Sequence, residues 1–206
     1  MNIIGLCMAA VIAFSQPMTY IEAYVPPIMQ IVNFDGCSYE SEWLYRKYVS
    51  KEPEVLQQAL IDYGAVINVA PNSKYVSGTS AGTYYSGTGS ININCSTNGK
   101  MKIAVNHEIG HCMDEILSFY YGLDWCEDPY SGVYCKFVSN CDEFRNIFEE
   151  ECKYAGYPSW NSWCPAEYFA ETYRYVIEGN ETMMNKAPRA TAFVKRVLYE
   201  TYNVEF

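Results

Sequence analysis

Apolar residues recur along the chain at two different periods, and the changes between them mark where elements begin and end. From Glu54 to Tyr63 they follow helical spacing, with Val55, Ala59 and Leu60 on one side, and Gly64 closes the segment. Ala65-Val66-Ile67-Asn68-Val69 then reads as a buried strand, so the chain opens as an α+β arrangement. Between Ser77 and Asn94 the composition shifts to Gly, Ser, Thr and Tyr, with apolar residues alternating at Ile91 and Ile93; this predicts an edge hairpin turning near Gly87 to Gly89. A longer helical pattern follows. Ile109, Met113, Ile116, Leu117 and Tyr120 form its core-facing stripe, whereas His107, His111 and Asp114 form another at i, i+4 and i+7. A later helix opens on Pro165, where the missing N–H costs nothing, and Phe169, Tyr173, Val176 and Ile177 give it an apolar stripe suited to packing on the earlier one.

The second stripe carries chemistry. The chain has only two histidines, and they flank Glu108 in His107-Glu108-Ile109-Gly110-His111, an H-E-x-x-H string. Positions four apart on a helix lie one above the other, so both imidazoles can present a nitrogen to one zinc ion about 2.0–2.1 Å away. Glu108 points about a quarter-turn aside, where a carboxylate reaches a water on the metal without becoming a ligand, the place for a general base. Asp114, one turn beyond His111, is suited to accept the outer N–H of a ligand histidine. A catalytic zinc site takes three protein ligands and leaves the fourth position open. The third cannot be a histidine six residues after His111, because Leu117 stands there. Two glutamates sharing one face of the later helix, Glu167 and Glu171, are the candidates, and spacing alone does not choose between them.

The string His107-Glu108-Ile109-Gly110-His111 with Asp114 resembles the H-E-x-G-H-x-x-D of the anthrax lethal factor catalytic domain and the related Pro-Pro endopeptidases. Ala166-Glu167-Tyr168-Phe169-Ala170-Glu171 is similar to the same family's A-E-F-F-A-E, and Asn185-Lys186-Ala187-Pro188-Arg189 followed by Phe193 resembles its N-A-P-K stretch. The resemblance implies a zincin-like, gluzincin-type α+β metallopeptidase domain: a small mixed sheet with an edge hairpin, an H-E-x-x-H helix and a C-terminal helical half. It also implies one catalytic Zn2+ held by His107, His111 and Glu167, with Glu171 supporting the site from behind. The family places a tyrosine seven residues before its glutamate ligand to stabilise the oxyanion. Here that position is Trp160, whose indole has no acidic proton to deliver, so Tyr157, three residues earlier, is expected to take the role, with Tyr154 as the alternative.

Composition bounds what such a site would serve. The 206 residues are half apolar, with no repeat or long polar linker, which fits a single metallopeptidase domain over residues 24–206. A formal charge of −10 without a Lys/Arg cluster disfavours nucleic acid. Ile3 to Phe14 is an apolar run shorter than a membrane span, so residues 1–23 read as a secretory signal peptide, leaving no stable membrane association after its removal. Of nine cysteines, Cys7 lies in that segment; the remaining eight suit a disulfide framework in an oxidising compartment, stapling the connection between Cys126 and Cys164. The expected protein is a secreted, monomeric zinc endopeptidase whose polypeptide substrate lies extended along the edge strand, with Glu108 as general base. The alternative is a secreted binding or inhibitory protein that keeps the zincin fold around a non-catalytic zinc.

Overall fold

The computed structural model describes residues 25–206 except 72–75, 77–79, 131 and 159–162. The expected signal peptide, with Cys7, and Trp160 lie outside the described residues.

A four-stranded sheet forms where β-branched residues cluster. It comprises β1 (Val32–Phe34), β2 (Val66–Ala70), β3 (Gly82–Tyr85) and β4 (Ser90–Asn94), in the order β1-β2-β4-β3. The first three neighbours in that order run parallel, and β3 is antiparallel to β4, pairing Gly82 with Ile93 and Tyr84 with Ile91. Between β1 and β2 the chain makes two helices, α1 (Tyr39–Val49) and α2 (Glu54–Tyr63). Gly64 ends α2 in the left-handed conformation (φ 82°), which a residue without Cβ adopts at little cost. The Ala65 N–H still bonds Leu60 O at 3.0 Å, so Ala65 belongs to the helix ending and the strand begins one residue later than the alternation predicts. The hairpin turns through Gly87 (φ 76°) and Gly89 (φ 64°), as its glycines predict. Among the described strands β3 thereby lies at the edge of the sheet.

Through Cys95 to Thr97, β4 leads into α3 (Asn98–Tyr120), whose first turn is capped by Thr97 Oγ1 accepting from Lys100 N. The C-terminal half is helical: α4 (Asp142–Glu151), α5 (Pro165–Glu178), the short α6 (Glu181–Met184) and α7 (Pro188–Tyr202). α5 lies directly against α3, and Gly110 is the reason they come so close. A Cβ there would sit 3.0 Å from Ala170 Cα and O and 3.2 Å from the Tyr173 ring. α7 starts at Ala187, which has no capping side chain, and Glu151 of α4 supplies the missing acceptors. Its carboxylate takes Arg189 N at 2.9 Å and Ala190 N at 3.0 Å, and also the Tyr168 hydroxyl at 3.0 Å. The Asn185-to-Arg189 stretch is thus the turn into the last helix.

Two expectations are corrected. Tyr120 is 65 % exposed rather than core-facing, because the final turn of α3 from Phe119 to Tyr121 faces solvent; the apolar stripe ends at Leu117, and Tyr120 packs edge-on against Tyr202. The disulfide staple is not formed: all eight described cysteines are free. Their sulfurs are otherwise engaged. Cys126 and Cys135 face each other across the two-stranded β5 (Cys126–Glu127) and β6 (Tyr134–Cys135), and Asn140 Nδ2 donates to both sulfurs. Cys141 Sγ caps α4 by accepting from Phe144 N, Cys112 is packed in the core, and Cys37 and Cys95 stand 3.0 Å apart. Among the described residues no helix is long and apolar enough to cross a membrane.

Candidate metal centre

His107 and His111 occupy successive turns of α3 and are 4 % and 8 % exposed, their rings perpendicular with centroids 4.9 Å apart. Glu167, in the first turn of α5, brings its carboxylate against both. Oε2 lies 3.2 Å from His107 Nε2, and Oε1 lies 3.5 Å from His111 Nε2. One atom from each of the three residues falls within 4.8 Å of the others. Two corners of a tetrahedron with bonds of 2.0–2.1 Å are about 3.3 Å apart, so the observed separations fit three ligands of one zinc ion. The contact between Gly110 and Ala170 sets this geometry, since it fixes how far Glu167 stands from the histidines.

Behind the site, His107 Nδ1 meets Glu171 Oε2 at 3.2 Å, and the fully buried Glu171 carboxylate is gripped by Arg174 through Nε at 3.0 Å and Nη2 at 2.5 Å. Arg174 also reaches Glu178 at 3.4 Å. Burial opposes charge on His107, but its bonds to Glu167 and Glu171 prevail and lift it to about 10. Burial likewise opposes charge on the two glutamates, yet His111 and His107 draw Glu167 far below the usual carboxylate range, and His107 with Arg174 draw Glu171 to about 2. Two imidazoles and a carboxylate converging at these distances are the donor types a zinc ion takes.

Glu108 lies beside the ligands without joining them. It is 7 % exposed; burial raises its pKa, and the two imidazoles and the Tyr84 main chain oppose that rise. Asp114 does not reach for a histidine. Its carboxylate takes Ser139 N at 2.8 Å and Ser139 Oγ at 2.6 Å, pinning the loop between the metal helices under His111. Tyr157 stands apart from the cleft. Its hydroxyl is 3.5 Å from Thr172 Oγ1 and its ring packs between Tyr168 and Tyr175, so its place is in the support of α5. Tyr154 is 77 % exposed and does not line the cleft either.

An open cleft of about 710 Å³ lies over His107, Glu108, His111 and Glu167, bounded by β3 on one side and by Phe137 and Trp163 on the other. Tyr84 of β3 stacks parallel to the His111 ring, with centroids 6.5 Å apart. Its hydroxyl is committed to Glu115, a buried carboxylate that also accepts from Tyr63, Ser86 Oγ and Gly87 N. Sequence reading passed over Gly82, Tyr84, Glu115 and Ser139. The only signal for Glu115 is an acid directly after Asp114, set among the apolar residues of the second half of α3.

Fold and site together define an α+β domain with a two-histidine, one-glutamate centre built from an H-E-x-x-H helix and a second helix. The chain belongs to the anthrax lethal factor family: the sequence model described as "Anthrax toxin lethal factor, N- and C-terminal domain" matches residues 73–197, more than half of it. No curated protein sequence matches the chain significantly. Among solved structures, the Pro-Pro endopeptidase PPEP-2 from Paenibacillus alvei shares the fold, with a TM-score of 0.58 at 19 % identity over 83 % of this chain and 99 % of that one.

Proposed function

We propose that the protein is a zinc-dependent endopeptidase of the zincin type, with His107, His111 and Glu167 as metal ligands and Glu108 as general base. The observation that carries this reading is the convergence of those three side chains from two helices, with an uncoordinated buried carboxylate alongside. A purely structural site would need the ligands but has no use for Glu108. Zinc bound there would polarise the substrate carbonyl and make water acidic enough to lose a proton near neutral pH. Glu108 takes that proton as the water oxygen attacks the carbonyl carbon, and delivers it to the departing amine nitrogen as the C–N bond breaks. Glu171 holds the His107 ring in the tautomer that leaves Nε2 free to ligate, and Asp114 orders the Ser139 loop beneath His111. The Tyr157 hydroxyl lies 3.5 Å from Thr172 Oγ1 and outside the cleft, and we assign it no step.

Substrate binding follows from β3. Asn94 N donates to Ala81 O, so by alternation the main-chain groups of Gly82 and Tyr84 face away from β4 and towards the cleft. An extended peptide antiparallel to β3 would lay its scissile carbonyl over the metal site. Export through residues 1–23 and a monomeric state complete the proposal.

Cleavage of a random peptide library, abolished by a zinc chelator and restored by zinc, tests it. Glu108→Gln should retain one zinc per chain by elemental analysis while losing turnover by 100-fold or more, on the order expected for removing a general base. Normal activity in that variant would overturn the assignment of the base.

A further inference from the structure

β3 carries a glycine at a position where its conformation does not require one. Gly82 is not among the residues with positive φ, so any side chain could adopt its backbone. Space is the reason. A Cβ built on Gly82 would stand 2.5 Å from Glu108 Cγ, 2.6 Å from its Oε1 and 2.8 Å from its Cδ, all closer than real contacts allow. The Glu108 carboxylate therefore occupies the volume that a side chain at residue 82 would fill.

The strand itself is held in register by a second carboxylate two helical turns further on. Glu115, fully buried on α3, accepts from the Tyr84 hydroxyl at 2.9 Å, from Ser86 Oγ at 2.7 Å and from Gly87 N at 3.0 Å. Three of its donors thus come from the hairpin, and the fourth, the Tyr63 hydroxyl at 2.6 Å, comes from the end of α2. Charge-assisted bonds of this kind in a buried setting are strong and directional.

We propose that the edge strand, not the zinc helix alone, aims the general base: Gly82 vacates the seat of the Glu108 carboxylate, and Glu115 anchors the strand that carries Gly82. Gly82 and Glu115 are positioning residues. The same strand that receives the substrate thereby sets the angle of the group that activates water against it. This inference rests on the peptidase reading of the cleft.

The test is Gly82→Ala in the full chain. The methyl's nearest contacts are all with the Glu108 side chain, from Cγ outwards, and none is with backbone, so Glu108 must swing aside while the protein folds and binds zinc as before. A crystal structure of the variant should show the Glu108 carboxylate displaced from its place beside residue 82. With peptide substrate kcat should fall about 100-fold, the cost of misplacing a reacting group by about 1 Å, while KM holds. In a Glu108→Ala background, which has neither a Cγ nor a carboxylate for the methyl to displace, adding Gly82→Ala should lower the residual kcat little further. Glu115→Gln, which weakens the clamp without touching the cleft, should lower kcat with zinc content retained. Equal losses from Gly82→Ala in both backgrounds, an undisturbed Glu108, or unaltered kcat in either Gly82→Ala or Glu115→Gln would overturn the inference alone. A zinc-loaded wild type that cleaves no peptide would instead overturn the peptidase reading itself.

Discussion

One histidine of the candidate metal site is fixed by a chain of side chains behind it. His107 is turned by Glu171, Glu171 is gripped by Arg174, and Arg174 is shared with Glu178. Such outer partners set ring orientation and ligand basicity, and losing one costs metal affinity by about 10–100-fold. Glu171→Gln keeps the volume and removes the charge. Its zinc Kd, measured by competition with a chelator, should rise within that range, whereas Glu167→Gln should lose the ion outright. The reverse order would exchange the roles of the two glutamates. At this scale much was legible in the sequence. Two histidines four apart with a glutamate between them leave little freedom on a helix, and the later acid pair narrows the third ligand to two positions. Asp114 shows where such reading stops. Its spacing suited it to a histidine, yet Ser139, 25 residues on, offers both an N–H and a hydroxyl. A backbone N–H has no signature in sequence.

Between elements, the distance from α3 to α5 decides whether a centre forms at all. Gly110 and Ala170 let the two backbones approach, and the one turn of α5 from Ala170 back to Glu167 carries the third ligand to the histidines. Gly110→Ala would thrust a methyl to within 3.0 Å of the α5 main chain, which cannot yield as a side chain does. Overpacking of this kind costs about 1–3 kcal/mol. Denaturant unfolding of the variant should show that loss together with weakened zinc binding. Gly99→Ala is the control, since a Cβ there meets nothing nearer than 4.0 Å and should leave stability unchanged or improved. Helices and hairpin were both readable from period and glycine placement, because those signals are local. The exposed end of α3 was not: Tyr120 keeps the helical spacing of the core stripe, but the elements that would cover it stop short.

Across the whole molecule, Glu52 ties the loop between α1 and α2 to α5 by accepting from the Tyr173 hydroxyl at 2.7 Å. Burial lifts this carboxyl to about 8, against the lowering effect of the Tyr173 bond and with some help from Glu178. The unfolded chain ionises Glu52 at an ordinary pH near 4.5, while the folded protein keeps it protonated to about 8. The associated stability is therefore fully present below about pH 4.5, declines as pH rises through that window, and is gone above about pH 8. Glu52→Gln, neutral throughout, should flatten this part of the Tm-against-pH curve and raise Tm on its alkaline side. An unchanged slope would show that Glu52 ionises normally.

The sequence by itself determined the helix ending at Gly64 and the strand after it, the hairpin, the two helices α3 and α5, and which residue types could bind zinc, because periodicity, glycine and proline positions and the H-E-x-x-H spacing are properties of a few neighbouring residues. Tertiary structure alone decided that Glu167 faces the metal site while Glu171 stands behind it, that Tyr157 lies against Thr172, that the described cysteines are unpaired, and that Gly82 makes room for Glu108. These are distances between residues far apart in the chain, and they are set by how closely two backbones can pack.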